Sequence, residues 1–103
     1  SVYVLLRNGS VVKLSGGKKD AFSLAVMDPA LDAATQIFAD ENTTQIYILD
    51  PSDRRLVAVD KQGKLVAQYT SESFNNLKDM LIDEPNKKAY LLNGTQVFAV
   101  DLQ

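Results

Sequence analysis

Chemistry in this chain has few residues to draw on. Histidine and cysteine are both absent from its 103 residues. That removes the commonest general base and metal ligand, the thiolate nucleophile, and any disulfide framework. What remains is carboxylate, arginine and lysine chemistry. Asp40-Glu41 and Asp83-Glu84 recur 43 residues apart. Asp53 runs directly into Arg54-Arg55, with Asp50 just before. These seven residues, Asp40, Glu41, Asp53, Arg54, Arg55, Asp83 and Glu84, are the candidate turn or binding-face residues. Two equivalent acidic turns on one face would offer oxygen ligands, which suit calcium rather than zinc. A solvated turn accounts for the same residues without an ion. Arg54 or Arg55 is expected to clasp Asp50 or Asp53 across an exposed turn, a contact contributing about 0–1 kcal/mol.

Other groupings lack a mechanism. Gly16-Gly17-Lys18-Lys19 has neither the spacing nor the following helix of a phosphate-binding loop, and reads as a loop. Ser15 with Lys18 has no supporting motif. Two sequons, Asn42-Thr43-Thr44 and Asn93-Gly94-Thr95, match the glycosylation pattern. No catalytic residue, cofactor site or metal site is assigned, and no hydrolase or transferase activity is expected.

The elements that must position these residues show a repeat. Tyr3, Tyr47 and Tyr90 each sit in an apolar run, and lie 44 and 43 residues apart. A period in the low forties with strands inside each unit marks a β-propeller blade or a related solenoid. The middle unit is the clearest. Strands are expected at Thr35–Ala39, Ile46–Leu49, Leu56–Val59 and Leu65–Tyr69, separated by turns at Asp40-Glu41-Asn42, Asp50–Asp53 and Lys61-Gln62-Gly63. The last unit repeats three strands, Asp79–Ile82, Ala89–Leu92 and Val97–Val100. The first shows Val2–Leu6 and Ser10–Leu14 around an Asn8-Gly9 hairpin turn with both central φ values positive, then Phe22–Met27 as a third strand. Asp28 to Ala34 is a connector, with a helical turn as the alternative. The fold class is all-β: antiparallel four-stranded blades of a β-propeller in a partial ring, with blade pieces at about 1–28, 34–70 and 77–103. The tyrosines are expected to pack between blades, their hydroxyls finding partners at the sheet edge. The outer strand missing beyond Val97–Val100 is expected from another segment or another copy.

The segment Ile46–Asp60 followed by Gly63-Lys64-Leu65-Val66 resembles the NHL repeat and the six-bladed propellers around it. The shared pattern is an apolar-aromatic strand, an Asp-rich turn running into Arg, a strand closing on Asp, and a Gly-Lys turn. The resemblance implies a binding or sensory module mediating protein or ligand interaction, and an extracytoplasmic domain of a larger bacterial protein. Two alternatives follow from it: part of a calcium-dependent lactonase-type enzyme, or a self-assembling propeller scaffold. The partners expected are the remaining blades or other copies of the same chain, with a protein or small ligand in addition.

Composition narrows the partners. A net charge of −2 and lysines and arginines in no more than pairs provide no basic stripe for a phosphate backbone, so nucleic acid is not expected. No apolar run approaches the roughly 20 residues of a membrane-crossing helix. An apolar fraction of 46% is enough to build a core.

Overall fold

A computed structural model describes all 103 residues. The chain is all-β, with ten strands in three antiparallel sheets and no α-helix. The first sheet holds β1 (Val2–Leu5), β2 (Val11–Ser15) and β3 (Lys18–Asp20). The middle sheet holds β4 (Gln36–Phe38), β5 (Gln45–Asp50), β6 (Arg55–Asp60) and β7 (Leu65–Thr70). The last holds β8 (Leu77–Asp83), β9 (Lys88–Asn93) and β10 (Gln96–Asp101). Within each sheet the strands are neighbours in chain order.

Side-chain alternation explains how the sheets stack. Successive strand residues point to opposite faces, so a strand buried on both sides must be apolar throughout. β5 and β6 meet that condition: Ile46 to Leu49 and Leu56 to Val59 are all essentially inaccessible. Tyr47, Leu49, Leu56 and Ala58 pack with Ala89 and Leu91 of the last sheet. Ile46, Ile48, Val57 and Val59 pack with Val11, Tyr3 and Leu5 of the first. The middle sheet is thus sandwiched, while each outer sheet has one covered and one open face.

The register makes this stacking a repeat. Leu5 pairs with Val11, Leu49 with Leu56, and Leu92 with Val97. Tyr3, Leu5 and Val11 therefore correspond to Tyr47, Leu49 and Leu56, and to Tyr90, Leu92 and Val97. In the first two sheets this set faces the next sheet. Val2, Val4, Val12 and Leu14 correspond to Ile46, Ile48, Val57 and Val59 on the opposite face.

The turns differ from expectation in an instructive way. Gly16-Gly17, read as a loop, is a two-residue hairpin turn with φ of 59° and 79°, since Ser15 pairs directly with Lys18. Both central positions are left-handed, the requirement of the type I′ turn. The third strand of the first sheet is therefore β3, not Phe22–Met27. Phe22 to Met27 is an extended connector with no strand pairing. Its apolar residues are spent in packing: Phe22, Leu24 and Met27 belong to the cluster between the first two sheets. No helical turn forms between Asp28 and Ala34. At Asn8-Gly9 only the glycine has positive φ. Leu6 donates to Ser10 O and Gly9 to Leu6 O, so the loop has three central residues with glycine last, a type I turn with a glycine bulge.

No strand of this chain covers the outer edge of β10. That edge is unpaired, and beyond β10 the chain turns toward the middle sheet. Leu102 is buried against the core, and the Gln103 amide donates to the Tyr69 hydroxyl at 2.8 Å.

Candidate functional site

The seven candidate residues fall at two opposite ends of the stack, because the turns before and after β5 lie at opposite ends of that strand. Asp53, Arg54 and Arg55 occupy the turn between β5 and β6. Asp40 and Glu41 precede β5, and Asp83 and Glu84 precede β9.

At the first end, Asp50, Pro51, Ser52 and Asp53 enter a single 3-10 turn, which Arg54 closes in the left-handed region at φ 52°. That reversal turns the next side chain inward. Arg55 is fully buried, and the exposed clasp expected from the sequence is corrected here. Its Nε donates to Asp50 Oδ2 at 2.8 Å, Nη1 to Gln68 Oε1 at 2.7 Å, and Nη2 to the Pro29 carbonyl. Asp53 stands 3.7 Å from the same guanidinium. The planar, rigid fork of arginine sets these three donations in fixed directions, where a lysine ammonium would offer only a compact point charge. Arg55, on β6, therefore ties β5 and β7 to its own strand and to the connector arriving from the first sheet. Burial pushes the Asp50 carboxyl above its ordinary range, and the Arg55 bond works against that rise. Arg54 is exposed and reaches only the Glu72 carbonyl, at 3.5 Å.

Asn93 occupies in the last sheet the place that Asp50 holds in the middle one, at the end of the second strand. It too is buried, 6% exposed. Its Oδ1 accepts from the Asn76 amide at 2.7 Å, and its Nδ2 donates to Ser73 O at 3.1 Å and Asn75 Oδ1 at 3.2 Å. Asn93 thus holds the connector into the last sheet directly, whereas the connector into the middle sheet is held by Arg55, which Asp50 orients. In the sequence Asn93 reads only as a turn residue and part of a sequon. Its spacing from Asp50, 43 residues, was the available signal.

At the other end, the two acidic turns are used differently. Asp40 caps its own turn, its Oδ1 accepting from the Asn42 and Thr43 amides at 2.8 and 3.0 Å. Asp83 accepts from Asn86 Nδ2 at 2.9 Å. Glu41 is exposed. Glu84 crosses to the middle sheet. It accepts from the Thr44 amide at 2.7 Å, the Thr44 hydroxyl at 3.1 Å, the Gln45 amide at 3.3 Å and the Tyr47 hydroxyl at 2.7 Å. Burial opposes ionisation of Glu84, but these donors outweigh it and hold its carboxyl below the usual range. Burial and the facing carboxylate together push the Tyr47 hydroxyl well above its ordinary value. Glu84 is therefore more than a solvated turn residue: it latches the last sheet to the middle one and satisfies the otherwise buried end of Tyr47.

No group of three or more acidic side chains converges where it could hold a metal ion. No helix is long and apolar enough to cross a membrane. No protein-family model matches the chain, and no curated protein or solved structure is significantly similar to it.

Proposed function

We propose that the chain is a segment of a β-propeller that works as a binding or sensory module, its partners being further blades or other copies of itself. One observation carries this: the same face-to-face relation between sheets occurs twice, with tyrosine at the same place in each. The route of the chain agrees with it. Each connector leaves the outermost strand of one sheet and enters the first strand of the next, the connectivity of successive blades. The likeness of Ile46–Val66 to the NHL repeat points the same way, and brings with it protein or ligand interaction as the role, by analogy of fold.

Binding is favoured over a calcium-dependent lactonase by the use made of the carboxylates. Asp40 and Asp83 are occupied within their own turns, and Glu84 by Tyr47 and Thr44. Asp50 is committed to Arg55. None is left free to act as a base beside a nucleophile. Calcium titration by calorimetry and turnover of a lactone and ester panel test the choice. No heat of binding and no turnover are expected. Calcium-dependent turnover that disappears in Asp40→Ala or Asp83→Ala would place the chain among the enzymes.

A further inference from the structure

The two open sheet faces are the counterparts of faces already joined inside the molecule. The middle sheet presents Tyr47, Leu49 and Leu56 to the last sheet, and the first presents Tyr3, Leu5 and Val11 to the middle. The last sheet presents the same positions, Tyr90, Leu92 and Val97, to nothing. With Leu81 they line an apolar hollow on its open side, where Leu81 is 66% and Val97 65% exposed. At the other end of the stack, Val2, Val4, Val12 and Leu14 form the open face of the first sheet. Inside the molecule the equivalent residues, Ile46, Ile48, Val57 and Val59, receive the tyrosine-bearing face of the preceding sheet. Exposed apolar patches of this kind on opposite sides of one molecule mark association surfaces.

We infer that the open face of the last sheet docks the open face of the first sheet of a second copy of this chain, head to tail, repeating the internal sheet-to-sheet contact. Such a contact joins two different patches, so it propagates until it closes into a ring or extends as a filament. Charge agrees with the pairing. Asp79, Asp83 and Asp101 flank the tyrosine-bearing face against one Lys88, whereas Lys19 sits beside Leu14 on the other. A second tyrosine-bearing face would oppose acid to acid. This inference rests on the repeat reading proposed above, and narrows it to one partner and one pair of surfaces.

Two substitutions separate this arrangement from any other. Val97→Glu blocks the tyrosine-bearing face, and Val4→Glu blocks the opposite one; each site is solvent-exposed in the single chain. Sedimentation velocity is run from about 5 to about 500 μM, the range in which contacts of modest area assemble. The unmodified chain should grow in mass with concentration. Each variant alone should stay a monomer with unchanged circular dichroism. An equimolar mixture should form a one-to-one dimer and nothing larger, since one usable pair of faces remains. If Val4→Glu unsettles the fold, Val2→Glu, at a more exposed position, takes its place. Self-association of either folded variant alone, or a mixture that stays monomeric, would overturn the head-to-tail pairing. So would an unmodified chain that is monomeric throughout. A monomeric chain would leave further blades as the partners in the binding-module reading, whose choice over an enzyme the calcium and turnover measurements judge separately.

Discussion

Two adjacent arginines in one turn have opposite fates, and this gives the sharpest test at residue level. Removing Arg55 strands Asp50 in the interior with no compensating charge. Loss of one partner of a buried pair costs about 3–5 kcal/mol. Arg55→Ala should therefore remove a large part of the roughly 5–15 kcal/mol margin of a domain, while Arg54→Ala should cost well under about 1 kcal/mol. Chemical denaturation of the two variants side by side checks this, and equal effects would refute the burial of Arg55. Glu84 supplies a pH signature. Its folded-state carboxyl lies below the ordinary range, so its latch contributes fully above the unfolded pKa of about 4.3 and is lost as pH falls through the lower folded value. Thermal stability should decline on acidification through that window. Glu84→Gln should flatten that decline and weaken the protein at neutral pH. An unchanged slope would mean that Thr44 and Tyr47 do not hold the carboxylate.

At the scale of elements, the connector between the first and middle sheets is pinned by turn glycines as well as by Arg55. A Cβ on Gly9 would lie 1.2 Å from the Leu31 carbonyl oxygen, and one on Gly63 2.0 Å from that of Ser23. Both residues have positive φ, at 85° and 87°. Gly9→Ala and Gly63→Ala should each displace the connector and cost several kcal/mol, whereas Gly17→Ala meets open space and should cost only the backbone strain of about 1 kcal/mol. Of the three variants, Gly17→Ala should keep the highest denaturation midpoint. The central strands of the middle sheet were legible in the sequence because unbroken apolar runs and turn chemistry agree there. The first sheet was harder to read. β3 is Lys18-Lys19-Asp20, polar and three residues long, so no periodicity marks it, and only the Gly-Gly turn betrays it. Phe22 to Met27 misled for the opposite reason: its side chains are apolar because it packs, not because it pairs. The inward reach of Arg55, the grip of Asn93 and the crossing of Glu84 depend on partners 13 to 40 residues away, which local pattern does not reveal.

For the whole molecule, the decisive feature is asymmetry of burial among three sheets stacked in the same way. The middle sheet is covered on both faces and each outer sheet on one, so local opening should be easiest at the ends and hardest in the centre. The polar clasps strengthen that gradient, since Asp50–Arg55 and Tyr47–Glu84 both involve the middle sheet. Native-state hydrogen exchange on dilute protein, where the open faces are free, is the measurement that tests the stacked-repeat account most directly. The slowest amides should be those of β5 and β6, exchanging only on global unfolding. β1, β2, β9 and β10 should exchange faster, with the β10 edge among the fastest. Uniform protection across the three sheets, or a middle sheet that exchanges as fast as the outer ones, would contradict the account.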